Sequence, residues 1–137
     1  MMKAGLWIDH KKAVIVTIQG DQVSKKVIRS DIEKRVRHSG GARSSTPYGP
    51  QDIASEKKRD ERYDHHLKVY HRNIVDSIRK AESIYIFGPG EGKVELKKHI
   101  EKTAALSKNI AGVETSDKLS DAQIVSKVKR FFRFKES

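Results

Sequence analysis

The sequence contains no cysteine, and it has only three prolines and one tryptophan among its 137 residues. The absence of cysteine excludes disulfide bonds and zinc sites built on cysteine thiolates. No apolar run has the length that a transmembrane helix requires, and residues 1–9 lack the small-residue cleavage site of a secretory signal peptide. We therefore expect a protein without a membrane segment, located in the reducing cytoplasm.

Positive charge is what the sequence has in excess. It contains 29 Lys and Arg against 18 Asp and Glu, which gives a formal net charge of +11. Residues 34–62 alone contain eight Lys or Arg and four Asp or Glu, a net charge of +4. Such a balance favours a polyanionic partner, most often nucleic acid. The alternative is a solvated basic surface that serves solubility.

The hydrophobic pattern predicts three strands followed by helices that alternate with strands. Residue alternation and β-branched side chains predict strands over 4–9, 13–18, 22–29, 83–87 and 109–115. Apolar residues at helical spacing predict helices over about 56–80 and 91–106, and a last helix capped by Ser120. The order βββ-α-β-α-β-α predicts one α/β domain over residues 1–137, with a mixed sheet and helices on both faces.

A glycine-centred basic stretch, Arg37-His38-Ser39-Gly40-Gly41-Ala42-Arg43, lies between the third predicted strand and the long helix. Paired glycines allow positive φ and a close approach of the backbone to another surface. We expect a mobile loop over about residues 37–55, because this turn-rich stretch has no apolar period. Cationic side chains in and beside it are suited to phosphate oxygens. The candidate RNA-binding residues are Arg35, Arg37, His38, Arg43, Lys57, Lys58 and Arg59.

Asp9 ends the first predicted strand, where nucleases of the ribonuclease H-like fold place a carboxylate. Such a site gathers two or three further carboxylates around a pair of Mg²⁺ ions. The fourth strand ends at Ile86-Phe87-Gly88 without an acid, and the acids of the long helix are interspersed with Lys and Arg. We expect Asp9 to mark the end of a strand, and a metal-dependent nuclease that uses Asp9 is the weaker alternative.

The stretch from Gly88 to Lys93, Gly-Pro-Gly-Glu-Gly-Lys, joins a predicted strand to a predicted helix. Its spacing does not fit a phosphate-binding P-loop, and Val94 stands where that motif has Ser or Thr. We expect a tight strand-to-helix turn, with anion binding at the helix N-terminus as the alternative.

Three histidines, His65, His66 and His71, lie on the long helix. Their spacing does not provide a chelating pair at positions i and i+4. We expect a solvated side of the helix, with a contribution to anion binding as the further alternative, rather than a metal site. Neither a metal nor a small-molecule cofactor is expected.

The element order, the basic Gly-Gly loop, the long helix and the strand running into Gly88-Pro89-Gly90 resemble one family over roughly the whole chain. The chain is similar to the middle domain of archaeal and eukaryotic class-1 peptide chain release factors and of Pelota-type ribosome-rescue proteins, including bacterial release-factor-like relatives. The resemblance implies a ribonuclease H-like fold, found among components of the translational machinery. It also implies a partner in the ribosome, through ribosomal RNA or tRNA.

In release factors the loop reads Gly-Gly-Gln and promotes hydrolysis of peptidyl-tRNA. By position, Gly40 and Gly41 match the two glycines, and Ala42 stands where the family has Gln. The resemblance therefore implies RNA contact in translation termination or ribosome rescue, while Ala42 lacks the amide side chain associated with the hydrolytic step. A non-catalytic protein-interaction or regulatory module on the same fold is the main alternative.

Overall fold

The computed structural model describes residues 1–30 and 50–133, with side-chain detail for 1–30, 61–103 and 105–133. Five strands form one sheet in the order β3-β2-β1-β4-β5. Antiparallel pairing joins β1 to β2 and β2 to β3, and parallel pairing joins β1 to β4 and β4 to β5. The strands are β1 (Met2–Ile8), β2 (Lys12–Gln19), β3 (Gln22–Arg29), β4 (Ala81–Gly88) and β5 (Ile110–Thr115).

Four helices accompany the sheet in the described residues. They are α1 (Pro50–Ser77), α2 (Gly92–Glu101), α3 (Ala104–Ser107) and α4 (Asp121–Phe131). The predicted mixed sheet is confirmed, with three strands followed along the chain by two strands that pair in parallel, β4 with β1 and β5 with β4. None of these helices is both long enough and apolar enough to span a bilayer.

The sheet has an apolar core on each face, as helices on both faces require. One core packs α1, α2 and α3 against residues such as Leu6, Ile8 and Ile84, which are fully buried. The opposite core packs α4 through Ile124 and Val128 against the other face of the same strands. Adjacent strand residues point to opposite faces, so the continuous apolar run of β1 supplies both cores at once.

The long helix differs from its prediction at both ends. It begins at Pro50 rather than at about Glu56, so residues 50–55 of the predicted loop are helical, and residues 37–49 lie outside the described residues. Proline fits the first turn of a helix, because its φ is already helical and its missing N–H would have no partner there. The helix ends at Ser77, since Ile78 N and Ala81 N donate to Val75 O and Ile78 O in a turn.

The helix predicted over 91–106 is divided into α2 and α3. The break lies at Thr103, whose φ of −105° and ψ of 98° are extended. A β-branched residue such as threonine has a low helix propensity, so leaving the helical conformation costs it little free energy. The helical spacing of apolar residues therefore continues across Thr103 although the helix itself is interrupted there.

The cap predicted for the last helix is confirmed, and its contribution to the free energy of unfolding can be measured. Ser120 Oγ accepts a hydrogen bond from Gln123 N at 3.2 Å, and Gln123 Oε1 accepts one from Ser120 N at 2.9 Å. We expect Ser120→Ala to lower the free energy of unfolding by about 1 kcal/mol, measured by urea denaturation. Ser126→Ala, at an exposed position inside the same helix, is the control and should cause no loss.

Candidate functional site

The candidate site lies at the carboxyl edge of the sheet, defined as the edge at which β1, β3, β4 and β5 end. The pairing directions bring these four strand ends to one edge, because β3 is antiparallel to β2 and β2 is antiparallel to β1. Ligands of open α/β sheets bind outside such carboxyl ends. The segment that carries the Gly-Gly loop also leaves the sheet here, directly after Ser30.

Asp9 forms the turn that follows β1. Its Oδ1 accepts hydrogen bonds from Lys11 N and Lys12 N, both at 2.8 Å, and its backbone N donates to Lys12 O at 3.0 Å. A carboxylate that binds its own turn in this way stabilises local structure. Across the described ranges, no three His, Asp or Glu side chains come together as a metal-binding group. The geometry agrees with Asp9 as the end of a strand.

Three hydrogen bonds, two from Ser30 and one from Tyr70, tie the elements on either side of residues 31–49 to this turn. Ser30 Oγ donates to His10 O at 2.6 Å, and Ser30 N donates to Lys11 O at 2.9 Å. From α1, the Tyr70 hydroxyl donates to Asp9 O at 3.1 Å. Both elements that flank residues 31–49 are therefore anchored to the same short turn.

The Tyr70 contact also shows where the N-terminal part of α1 lies relative to the sheet. Pro50 to Tyr70 corresponds to about 30 Å of helix at 1.5 Å per residue. Because Ala81 pairs with Met2 at the opposite edge, the helix runs from the carboxyl edge toward the amino edge. The predicted contacts Lys57, Lys58 and Arg59 belong to this N-terminal part of α1, and their side chains lie outside the described residues.

The remaining predicted site residues are not described by the structure. Arg35, Arg37, His38, Arg43 and the tripeptide Gly40-Gly41-Ala42 lie between residues 31 and 49, outside the described residues. The sequence predicts them between the third strand and the long helix. It gave no indication of Ser30 and Tyr70 as anchors, because their partners are 20 and 61 residues away in the chain.

The glycine-rich turn after β4 has the structural role that its sequence predicts. Gly88 and Gly90 have φ of +150° and +64°, and a Cβ added at Gly92 would lie 3.4 Å from Asp9 Cα. The Lys93 side chain is buried, and its Nζ donates to Gly90 O within the turn. That ammonium group is directed onto its own backbone, so the geometry favours the tight turn over an anion site.

The prediction of a solvated histidine face is wrong for His71. This side chain is only 4% exposed, between Tyr70 and His99, with ring centroids 5.8 Å and 5.6 Å away. Within the part of the chain that the structure describes, its Nε2 has no hydrogen-bond partner. Burial, together with His99, His10 and Lys102 nearby, lowers the pKa of His71 to about 4. His71 is buried because α2 packs over it, and the spacing of histidines along α1 gives no information about that contact.

Because the His71 imidazole is buried, we expect the protein to lose stability in acid. The pKa of His71 is about 4 when folded and about 6.5 when unfolded, so only the unfolded chain takes up a proton between these values. We expect the free energy of unfolding to fall as the pH decreases from 6.5 to 4. In urea denaturation, His71→Leu should weaken the dependence of the free energy of unfolding on pH. His65→Leu, at an exposed position, is the control and should leave that dependence unchanged. The same pH dependence in the unmodified protein and both variants would contradict the assignment to His71.

Comparison with known proteins identifies solved structures that have a similar fold. No protein-family model matches the sequence, and no curated protein matches it. Among solved structures, the Pelota protein of Thermoplasma acidophilum matches over 95% of this chain and 32% of its own, with 17% identity and a TM-score of 0.55. Pelota of Archaeoglobus fulgidus matches over 94% of this chain and 31% of its own, with 12% identity and a TM-score of 0.54.

An archaeal translation termination factor is also similar, over 97% of this chain and 39% of its own, with 15% identity and a TM-score of 0.50. The chain thus spans about a third of the length of these proteins. At such identities the likeness concerns the fold. The predicted resemblance in fold is confirmed: this chain has the α/β fold of one part of Pelota and of archaeal termination factors.

Proposed function

We propose that this chain is an RNA-binding module of the release-factor type that acts on the ribosome in the cytoplasm, in translation termination or ribosome rescue. The observation that carries the proposal is the fold shared with Pelota and with an archaeal termination factor over nearly the whole chain. The net charge of +11 suits an RNA partner, either ribosomal RNA or tRNA.

The anchored elements at the carboxyl edge support a binding role for the Gly-Gly loop. Ser30, which directly precedes the basic segment, and Tyr70 of α1 are both hydrogen-bonded to the turn at residues 9–11, at one edge of the sheet. Binding residues are commonly carried on loops that a rigid scaffold positions. In this proposal Arg35, Arg37, His38 and Arg43, with Lys57, Lys58 and Arg59 of α1, contact phosphates.

The tripeptide Gly40-Gly41-Ala42 is proposed to bind without hydrolysing peptidyl-tRNA. Glycine permits close approach of the backbone, and alanine, like the family glutamine, has a backbone N–H that can donate a hydrogen bond. A methyl group cannot orient water as the family amide does. If the rest of the site is retained, Ala42→Gln should confer peptidyl-tRNA hydrolysis on programmed ribosomes; absence of hydrolysis by both proteins would assign the loop to binding alone.

Co-sedimentation with purified ribosomes tests the binding proposal. We expect the chain to sediment with ribosomes near physiological salt and its association constant to fall steeply between about 50 and 200 mM KCl, because cationic side chains displace counterions from phosphates. Absence of binding near physiological salt would refute the proposal. Binding that does not change with salt would instead favour the protein-interaction module.

A further inference from the structure

Strand β3 forms one edge of the sheet, and its outer side is open. Its single neighbour in the sheet is β2, and the two strands pair without interruption from Lys12 and Arg29 to Gln19 and Gln22. The opposite edge strand, β5, is shorter, and a register shift interrupts its pairing with β4 after Ile84. Over residues 1–30 and 50–133, no further strand pairs with β3. A long, regular edge strand of this kind is a template for another strand.

The hairpin geometry identifies which backbone groups of β3 face outward. In a hairpin with a two-residue turn, here Gly20-Asp21, the residues that flank the turn form a hydrogen-bonded pair, and such pairs alternate along the ladder. The alternation predicts a hydrogen-bonded pair of Lys11 and Ser30, and Ser30 N does donate to Lys11 O at 2.9 Å. The N–H and C=O groups that point away from β2 therefore belong to Val23, Lys25, Val27 and Arg29.

A groove of about 470 Å³ lies beside this open edge, and it is lined by Lys26, Val27 and Ile28 of β3 and by Asn73, Asp76 and Ser77 of α1. Lys26 Nζ donates to Ser77 Oγ at 3.2 Å. Asp76 accepts from Arg79 Nε at 2.8 Å. Because the charged groups of the groove already have polar partners, the groove suits uncharged side chains. A strand added to β3 places every second side chain on this side of the sheet.

The other side of β3, which faces α4, carries positive charge in excess. Lys25 pairs with Asp121 of α4 at 3.0 Å, and Arg29 lies on the same side of the strand, four residues further on. Arg29 pairs across the ladder with Lys12, so two cations stand opposite each other, which is unfavourable. Within the part of the chain that the structure describes, Arg29 forms no ion pair, and Asp21 lies in the hairpin turn at the far end of β3. Three cations therefore face one carboxylate on this side of the edge.

We propose that β3 binds an extended acidic peptide of a partner protein, which adds an antiparallel strand to the open edge. Its backbone pairs with the outward groups of β3, and antiparallel pairing is the more stable kind. Its residues opposite Lys25 and Arg29 are acidic, and the residues between them place uncharged side chains in the groove beside α1. This interaction goes beyond the proposed function, since it requires neither RNA nor the ribosome.

A second copy of this chain fits the same edge less well. Two β3 strands that pair with each other bring Lys25, Lys26 and Arg29 of one copy close to the same side chains of the other. Like charges opposite each other destabilise a ladder, and lysine on an edge strand is one of the features that hinder such self-association. An acidic strand replaces this repulsion by attraction, so the same cations favour a partner of opposite charge.

The probe is a fluorescent alternating Glu-Val peptide as long as β3, and its binding is measured by anisotropy at about 0.1 M KCl. Opposed residues of an antiparallel hydrogen-bonded pair exchange both backbone bonds, so the Glu amides face β3 and the Val amides face solvent. N-methylation of the Glu amides should therefore lower the affinity at least about tenfold, while N-methylation of the Val amides should cause little loss. Equal affinities of the two methylated peptides, or equal binding of a Lys-Val peptide, would overturn the inference.

Val27→Pro tests the same contact from the side of the protein. The Val27 N–H points away from β2, so proline removes an outward donor and leaves the ladder bonds of β3 intact. Val27→Thr is the matched control, because threonine keeps the N–H and the branched shape at this exposed position. We expect Val27→Pro to lose about tenfold in peptide affinity and Val27→Thr to lose little, with folding checked by urea denaturation. Equal affinities of the two variants would overturn the inference, and if Val27→Pro does not fold, the methylated peptides decide it on the unmodified protein.

Arg29→Gln tests the acidic character of the partner. We expect the affinity for the Glu-Val peptide to fall about threefold, since an exposed ion pair contributes modestly. Lys108→Gln, at an exposed position just before β5, is the control and should leave the affinity unchanged. Equal affinities of these two variants would overturn the choice of an acidic partner.

Amide hydrogen exchange in the unmodified protein identifies the occupant of the edge. Addition of the Glu-Val peptide should slow exchange at the outward amides, such as Val27 and Arg29, and change it little at Ser24 and Lys26, whose N–H groups already bond to β2. Unchanged exchange at the outward amides with the peptide bound would overturn the inference. Slowed exchange there without peptide, as the protein concentration rises, would identify a second copy as the occupant and would also overturn it.

Discussion

Gly88→Ala should lower the free energy of unfolding by about 3 kcal/mol or more. The φ of +150° at Gly88 is unfavourable for any residue with a Cβ atom, and an added Cβ would lie 2.3 Å from Ile8 O. Ile8 pairs with Ala13 and Gly88 pairs with Thr115, so neither backbone can move without disturbing the sheet. Urea denaturation measures the loss directly.

Gly90→Ala is the matched control, two residues further along the same turn. Its φ of +64° is also left-handed, but an added Cβ would meet nothing within 4 Å. We expect a loss of about 1 kcal/mol, the cost of placing a side chain in this backbone region. A similar loss in the two variants would show that the close approach of Gly88 to Ile8 does not contribute.

The second large effect concerns the proposed RNA contacts. Replacing Arg37, Arg43, Lys57 and Lys58 by Ala should reduce ribosome affinity at least about a hundredfold near physiological salt, since each charge-assisted hydrogen bond to phosphate contributes about 1.5 kcal/mol or more. The measurement is co-sedimentation over a series of ribosome concentrations.

A control variant with the same change in net charge separates site binding from general attraction. Replacing Lys80, Lys108, Lys118 and Arg130 by Ala removes four exposed cations from elsewhere in the chain. We expect this variant to retain most of its affinity. A loss as large as that of the loop variant would indicate attraction by net charge alone.

The sequence predicted the fold where a local pattern carries the information. The helical spacing of apolar residues predicts a buried stripe, and Tyr70 and Ile74 of α1 are buried, as is Ile78 directly after the helix. The Ser120 cap is local too, because both of its partners lie within one helical turn. Turn-forming residues misled the prediction at Pro50, where a proline begins the helix rather than preceding it.

The site was less predictable because its contacts join distant parts of the chain. Burial of His71 depends on α2, which follows it by about twenty residues, and no spacing within α1 reveals that cover. The hydrogen bond from Tyr70 to Asp9 O likewise depends on the parallel pairing of β1 with β4. Local sequence therefore predicts a basic loop, and the tertiary structure shows how Ser30 and α1 are anchored to the turn at Asp9.

Site-specific photo-crosslinking on ribosomes tests most directly whether the Gly-Gly loop contacts RNA. A photoreactive residue is placed at Ala42 in the Gly-Gly loop, and in a control at Asp21, in the turn between β2 and β3 at the opposite edge of the sheet. The proposed function predicts crosslinks to ribosomal RNA or tRNA from position 42 and few from position 21. Crosslinks from position 42 to protein alone, or equal RNA crosslinking from the two positions, would contradict it.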